Sequence, residues 1–179
     1  MNSSSKERIL NVANKVIAEK GLNCFTLDEV AKAAGISKGG LLHHYPSKDK
    51  LIKALIENYI TLFQSRVSER EKTLSEASPC NWLVSFIYEQ FNQCKLDTNT
   101  MYCLLAAVAS KQDLLHPVLE KRKEWIEKIN DCKDPIMALI ISFACDGIAF
   151  SNLLGLEVFP ENTKAELMER LVNLSKECY

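Results

Sequence analysis

Residues 25–51 read FTLDEVAKAAGISKGGLLHHYPSKDKL. Thr26 and Glu29 have the spacing of a capping box, which opens a helix over 27–34. Leu27, Val30, Ala31 and Ala34 fall on one face of that helix and turn inward. Gly35 stands where a helix C-cap sits, and Ser37 caps a second short helix over 38–45. Gly35-Ile36-Ser37 is therefore a tight connection between two short amphipathic helices. This is helix-turn-helix spacing, in which the second helix is free to enter a major groove. At about 100° per residue, Leu41 and Tyr45 fall together on the buried side. Gly39, Gly40 and His43 point the opposite way, with Leu42 and His44 on the flanks. Two outward positions without a side chain let another backbone approach closely. On that face Lys38 reaches a phosphate, His43 donates to a base edge or phosphate, and Leu42 meets a thymine methyl.

Outward from this stretch the chain reads as all-α, with no convincing hairpin signal. A helix over 6–20 precedes it, opened by Ser4 and Glu7 and lined by Ile9, Ala13, Val16 and Ile17. A long helix from 48 to 72 follows, with Leu51, Leu55, Tyr59, Leu62 and Phe63 as its stripe. Further helices are expected after Ser78-Pro79, over 101–110, 117–130, 135–154 and 163–176, about nine in all. The domain boundary is placed between 47 and 48. Residues 1–47 are expected to form a three-helix unit that carries the helix-turn-helix, and 48–179 a larger helical unit.

Composition narrows the function classes. Charged residues make up 25% of 179 positions, ordinary for a soluble globular protein. The net charge of −1 hides an asymmetry: residues 1–53 carry nine Lys/Arg against five Asp/Glu. A basic front on an acidic remainder points to a polyanion partner for the first part. Seven cysteines, with no CxxC pair, exclude a disulfide framework and a zinc site and indicate a reducing cytoplasm. His43-His44 has no third ligand at metal spacing, so no metal and no cofactor are expected. Of Cys94, Cys103 and Cys145, only Cys94 has a basic neighbour, Lys95, so buried inert thiols are expected rather than a redox switch. Residues 136–156 are apolar enough in length for a membrane span, but Asp146, Ser142, Asn152 and two glycines argue against it. No HExxH, GxSxG or phosphate loop is present, which argues against an enzyme.

The stretch 25–51 resembles the N-terminal signature of the TetR family of bacterial transcriptional regulators. The matching features are Thr26, the turn Ala31-Lys32-Ala33-Ala34-Gly35-Ile36-Ser37, His44-Tyr45 and Ser47-Lys48. The family commonly has a tyrosine where this chain has Leu42, which removes one expected backbone contact. The resemblance implies double-stranded DNA as partner, with Thr26, Lys38, Gly39, Gly40, Leu42, His43, His44 and Lys48 as contacts. Thr26 and Lys48 sit at helix N-termini, where amides and dipole favour a phosphate. It also implies a homodimer whose last two helices form a four-helix bundle, and a small-molecule inducer held among the middle helices.

The residues of the remainder fit these expectations. Ala138, Ser142, Cys145, Ala149 and Asn152 form a small-residue stripe for close helix approach, and Leu167, Leu171 and Leu174 complete a dimer seam. Trp82, Phe86, Tyr102, Cys103, Trp125, Phe143 and Asp146 are the pocket candidates. Asp146 is the pointed one, because a buried carboxylate needs a partner, either a cationic ligand beside aromatic faces or a salt bridge. The expected function is a ligand-responsive repressor released from a palindromic operator by a hydrophobic or cationic inducer. Two alternatives are weighed beside it. One is a DNA-binding protein of the same fold without an inducer, answering a protein partner or organising DNA. The other is a helical-bundle enzyme or lipid carrier.

Overall fold

Side-chain oxygens start the helices and a left-handed glycine stops one of them at the decisive turn. Thr26 Oγ1 accepts from the Glu29 amide at 3.2 Å, and Ser37 Oγ accepts from the Gly40 amide at 3.0 Å. Ser47 Oγ accepts from the Lys50 amide, and Asp134 Oδ1 from the Met137 amide. Gly35 has φ 65° and ψ 34°. Its amide donates to the Lys32 carbonyl while the Ile36 amide donates to the Ala31 carbonyl. This pair of bonds is a Schellman closure, and it needs a residue that tolerates positive φ.

The computed structural model describes residues 5–21, 25–74, 81–92, 105, 107–108, 111–153, 156 and 160–178. Among these, all regular structure is helical. The helices are α1 (Ser5–Lys20), α2 (Leu27–Ala34), α3 (Lys38–His44), α4 (Lys48–Thr73), α5 (Asn81–Phe91), α6 (His116–Asn130), α7 (Pro135–Leu153) and α8 (Glu161–Glu177). A 3-10 turn, Gln112–Leu115, leads into α6. The helix expected over 101–110 lies outside the described residues except at 105, 107 and 108, which are helical. No helix among the described residues is long and apolar enough to cross a membrane.

The chain divides into two compact units, one drawn from residues 1–60 and 94–119, the other from 61–93 and 120–179. The core of the first gathers Ile9, Ala13, Val16 and Ile17 of α1 with Phe25, Val30, Leu41 and Tyr45. Leu51, Ile52, Leu55 and Ile56 of α4 complete it. By packing, the first unit thus takes in the opening of α4, beyond the boundary at 47/48 drawn from sequence. The second unit is built around α5, which packs against α7 and α8. Trp82, Leu83, Val84, Ser85, Phe86 and Ile87 are all buried, so α5 is enclosed nearly all round. Phe63 and Val67 are the buried pair of α4 in this unit, and Leu62, expected on its inward stripe, is exposed.

The small-residue stripe of α7 lies elsewhere than expected. Ala138 and Cys145 are 0% exposed and Ser142 is 4% exposed, closed within the protomer's own core. Their small volume lets α7 approach its neighbours in the same chain, so these three are internal packing rather than a surface for a second copy. Ala149 is half-buried, and the side chain of Asn152 lies outside the described residues. On α8, Leu171 is buried in the same core, with Leu167 and Leu174 packed against it. What α7 leaves open is Ile136, Ile140, Phe143 and Phe150, each at least 46% exposed. At about 100° per residue these four fall on the side opposite Ala138, Ser142 and Cys145.

Adding a Cβ at Gly35 meets nothing within 4 Å, so its requirement is conformational. Gly35→Ala is expected to lower unfolding free energy by about 1 kcal/mol, with Gly35→Asn losing less. Urea unfolding followed by circular dichroism measures this; an unchanged midpoint for the alanine variant would show that the turn leaves the left-handed region freely.

Candidate nucleic-acid interface

α3 has only seven residues, too few to hold a helix in water by itself. It is held from below by Leu41, fully buried, and by Tyr45 just past its end, 7% exposed. With those two side chains fixed in the core, the rotation of α3 is set. Lys38, Gly39 and His43 are exposed, and Gly40, Leu42 and His44 are half-buried. The His43 and His44 rings meet edge to face with centroids 5.5 Å apart. Thr26 is exposed at the start of α2, where its hydroxyl is already a cap. Lys48 is half-buried, and its ammonium stands 5.5 Å from the centroid of the Phe25 ring. The structure therefore gathers the outward residues of α3 on one side and gives Thr26 and Lys48 local roles as well.

Gly39 and Gly40 both have ordinary helical backbone, since positive φ is confined to Gly21 and Gly35 among the described residues. A Cβ on Gly39 would meet only Ser37 Oγ at 3.9 Å, an ordinary contact. Glycine inside a helix is unfavourable by roughly 1 kcal/mol against alanine. Among the described residues nothing requires that choice at Gly39, and the position is an open notch on the exposed side of α3.

Charge on this side is partly spoken for. Lys38 Nζ lies 2.9 Å from Asp28 Oδ2, and Lys20 pairs with Glu29. The hydrogen bond and charge of Lys20 hold the Glu29 carboxyl below its ordinary range. Both acidic residues of the first turn of α2 are thus engaged by a lysine from a neighbouring helix. Sequence reading missed these pairs, because partners nine or ten positions apart on different helices leave no periodic trace.

The pocket candidates separate into two groups within the second unit. Trp82, Phe86 and Trp125 adjoin one another, with Phe86 to Trp125 at 5.3 Å and Phe63 beside both. Trp82 Nε1 in this group, and Ser85 Oγ elsewhere on α5, are buried without a hydrogen-bond partner among the described residues, an unusual state for polar atoms. Phe143 and Asp146 lie together elsewhere, joined by Arg122. Its guanidinium donates to Asp146 Oδ2 at 2.5 Å and stands 5.2 Å from the centre of the Phe143 ring. The partner that Asp146 needs is therefore present in the chain. In the sequence Arg122 falls on the same face of the 117–130 helix as Trp125, Ile126 and Ile129. Tyr102 and Cys103 lie outside the described residues. Among the described residues no three His, Cys, Asp or Glu side chains converge as metal ligands.

With this geometry in place, known proteins supply a frame. A family profile described as bacterial regulatory proteins, tetR family, matches residues 9–55. A second, described as tetracyclin repressor-like C-terminal domain, matches residues 81–176. The HTH-type transcriptional repressor KstR2 of Rhodococcus jostii (strain RHA1) is 27% identical over 130 residues, covering 72% of this chain and 59% of that protein. The chain spans about half the length of the curated relatives it matches. The crystal structure of a transcriptional regulator from Rhodococcus sp. Rha1 superposes with a TM-score of 0.74 at 20% identity, covering 98% of this chain and 96% of that one. The multidrug binding protein EbrR, solved in complex with ethidium, gives a TM-score of 0.63 at 22% identity over 94% of this chain and 98% of that one.

Cys145 shows what burial does to a thiol here. Desolvation, aided by the neighbouring Asp146 carboxylate, pushes it up to about 12 from an ordinary 9.0. The native state thus keeps this proton more tightly than the unfolded chain. Its contribution to stability is complete below about pH 9 and is lost as pH rises toward 12. Cys145→Ala should therefore lose less stability than the wild type across that interval in urea titrations. An aromatic disulfide reagent at pH 8 should leave Cys145 unlabelled in the native protein, and rapid labelling there would contradict its burial.

Proposed function

Because the chain belongs to the TetR family of bacterial regulatory proteins, we propose that it is a ligand-responsive transcriptional repressor. In this reading it acts in the cytoplasm, binds a palindromic operator as a homodimer, and is released by a small-molecule inducer. The observation that carries it is the outward face of α3. Lys38, Gly39 and His43 are exposed on a helix whose other side is locked into the core. Lys38 supplies a phosphate contact, His43 a donor for a base edge or phosphate, and the glycine notch lets α3 sit deep in the groove. Thr26, Leu42, His44 and Lys48 line the rest of the contact.

The homodimer in this reading meets through the open stripe of α7. Ile136, Ile140, Phe143 and Phe150 form a row of large apolar side chains at helical spacing, the composition of an interface core. A two-fold pair presents two recognition helices, which matches a palindrome.

The inducer in this reading enters the second unit at Trp82, Phe86 and Trp125. It is hydrophobic and carries a hydrogen-bond acceptor, because Trp82 Nε1 and Ser85 Oγ lack partners. A cationic inducer is disfavoured, because Asp146 is already neutralised by Arg122. Ligand binding shifts the population between dimers that fit the operator and dimers that do not.

Selection from fragmented genomic DNA, followed by sequencing, tests the reading as a whole. Enrichment of a short palindrome is expected; salt-sensitive binding with no enriched sequence would favour a DNA-organising protein instead. Lys38→Ala with His43→Ala should weaken operator binding at least about tenfold at matched salt, and Lys38→Ala alone should lower the salt slope by about 1. Both should stay dimeric in sedimentation. Ile140→Asp with Phe143→Asp should do the reverse, giving folded monomers by the same method; a persistent dimer would move the seam elsewhere.

A further inference from the structure

The face of α3 that this reading turns toward DNA carries a carboxylate at its edge. Asp28 stands in the first turn of α2, and its Oδ2 lies 2.9 Å from Lys38 Nζ. The Lys38 side chain is 56% exposed and that of Asp28 66% exposed, so the pair is open to water and to a third partner. Both ends of the pair bear on a phosphate. Lys38 is the cation at the start of α3 that would meet one. Asp28 occupies the positive end of α2, where an anion is favoured. A DNA strand arriving here has to take Lys38 from Asp28 and then lie beside a negative charge.

We propose that Asp28 is an internal competitor for the DNA backbone, which holds Lys38 until a phosphate displaces it and so sets the strength of sequence-independent binding. The inference rests on the reading of α3 as the DNA-facing helix. Its logic is that of any exposed ion pair. The pair itself is weak, because water and salt screen it. A phosphate on a densely charged duplex, releasing counterions as it is neutralised, outcompetes it at low salt and does so less well as salt rises. Asp28 therefore leaves a fully engaged operator bound while trimming the loose contacts that the rest of a genome offers. Glu29 does not share the role, since its carboxylate is directed to Lys20 and not to α3.

The test needs no knowledge of the operator. Binding of the full chain to a mixed-sequence duplex is measured by fluorescence anisotropy at about 50 mM and about 150 mM salt for four proteins. These are the wild type, Asp28→Asn, Lys38→Ala and the double variant; circular dichroism checks that each is folded. Asp28→Ser, which also suits the start of a helix, is the second probe should the asparagine variant be unstable. Asp28→Asn is expected to bind about three- to tenfold more tightly, and the gain should fall below about twofold when Lys38 is alanine. Unchanged or weaker binding by Asp28→Asn overturns the inference while leaving DNA binding intact. So does an equal gain in both backgrounds, which would make Asp28 a general repulsive charge. Failure of the wild type and Asp28→Asn alike to bind any duplex at low salt overturns the DNA-binding reading and the inference with it.

Discussion

The burial of Leu41 and Tyr45 is the constraint on which the rest of the first unit depends. A helix of seven residues closes few internal hydrogen bonds and has no stability of its own. It exists because one side chain from its middle and one from just past its end are packed with Ile9, Val16, Phe25, Val30 and Leu55. The same contact fixes which residues face out. A one-residue slip would turn α3 by about 100° and carry Lys38 and His43 off the open side. The cap and the turn that precede α3 remove the remaining freedom. Ser37 closes its start, and the Gly35 turn fixes its departure from α2.

The second unit answers a different problem. α5 is buried nearly all round and packs against α7 and α8, yet it carries Ser85, Gln90 and the charged Glu89, 7% exposed, into that core. Arg66 of α4 meets it, as Arg122 of α6 meets Asp146 of α7. A buried charge whose partner is removed is strongly destabilising, whereas the intact pair adds little net stability. These pairs therefore act on which helix faces which, more than on how tightly the helices hold. Breaking the first would leave the Glu89 carboxylate in the core without this cation, whereas Asp146, about one-third exposed, would still meet water.

How much could be read in advance follows from the range of each interaction. Caps and the αL glycine act within four residues, so Thr26, Ser37 and Gly35 were legible one at a time. The inward face of α1 was legible because its polar face is truly polar. α7 was not, because it is apolar nearly all round. Its small residues and its large ones make two equally good stripes on opposite faces, and nothing local says which is covered. The structure covers Ala138, Ser142 and Cys145 and leaves Ile140 and Phe143 open. Ion pairs such as Lys38–Asp28 and Arg122–Asp146 depend on helices far apart in sequence, so only an isolated carboxylate and a misplaced arginine hinted at the second. Membership of the TetR family was legible from the turn and its flanks alone, since many local constraints coincide there.

The division of labour on α3 bears on how this chain can diverge. Two residues hold the helix, and the outward ones contribute almost nothing to holding it. Substitutions at positions 38, 39, 42 and 43 are therefore nearly neutral for folding while, in the proposed reading of α3, changing what the surface recognises. A copy of this chain could drift toward a new DNA sequence through folded intermediates at every step. Positions 41 and 45 have no such latitude, because any change there disturbs the core and the recognition surface together.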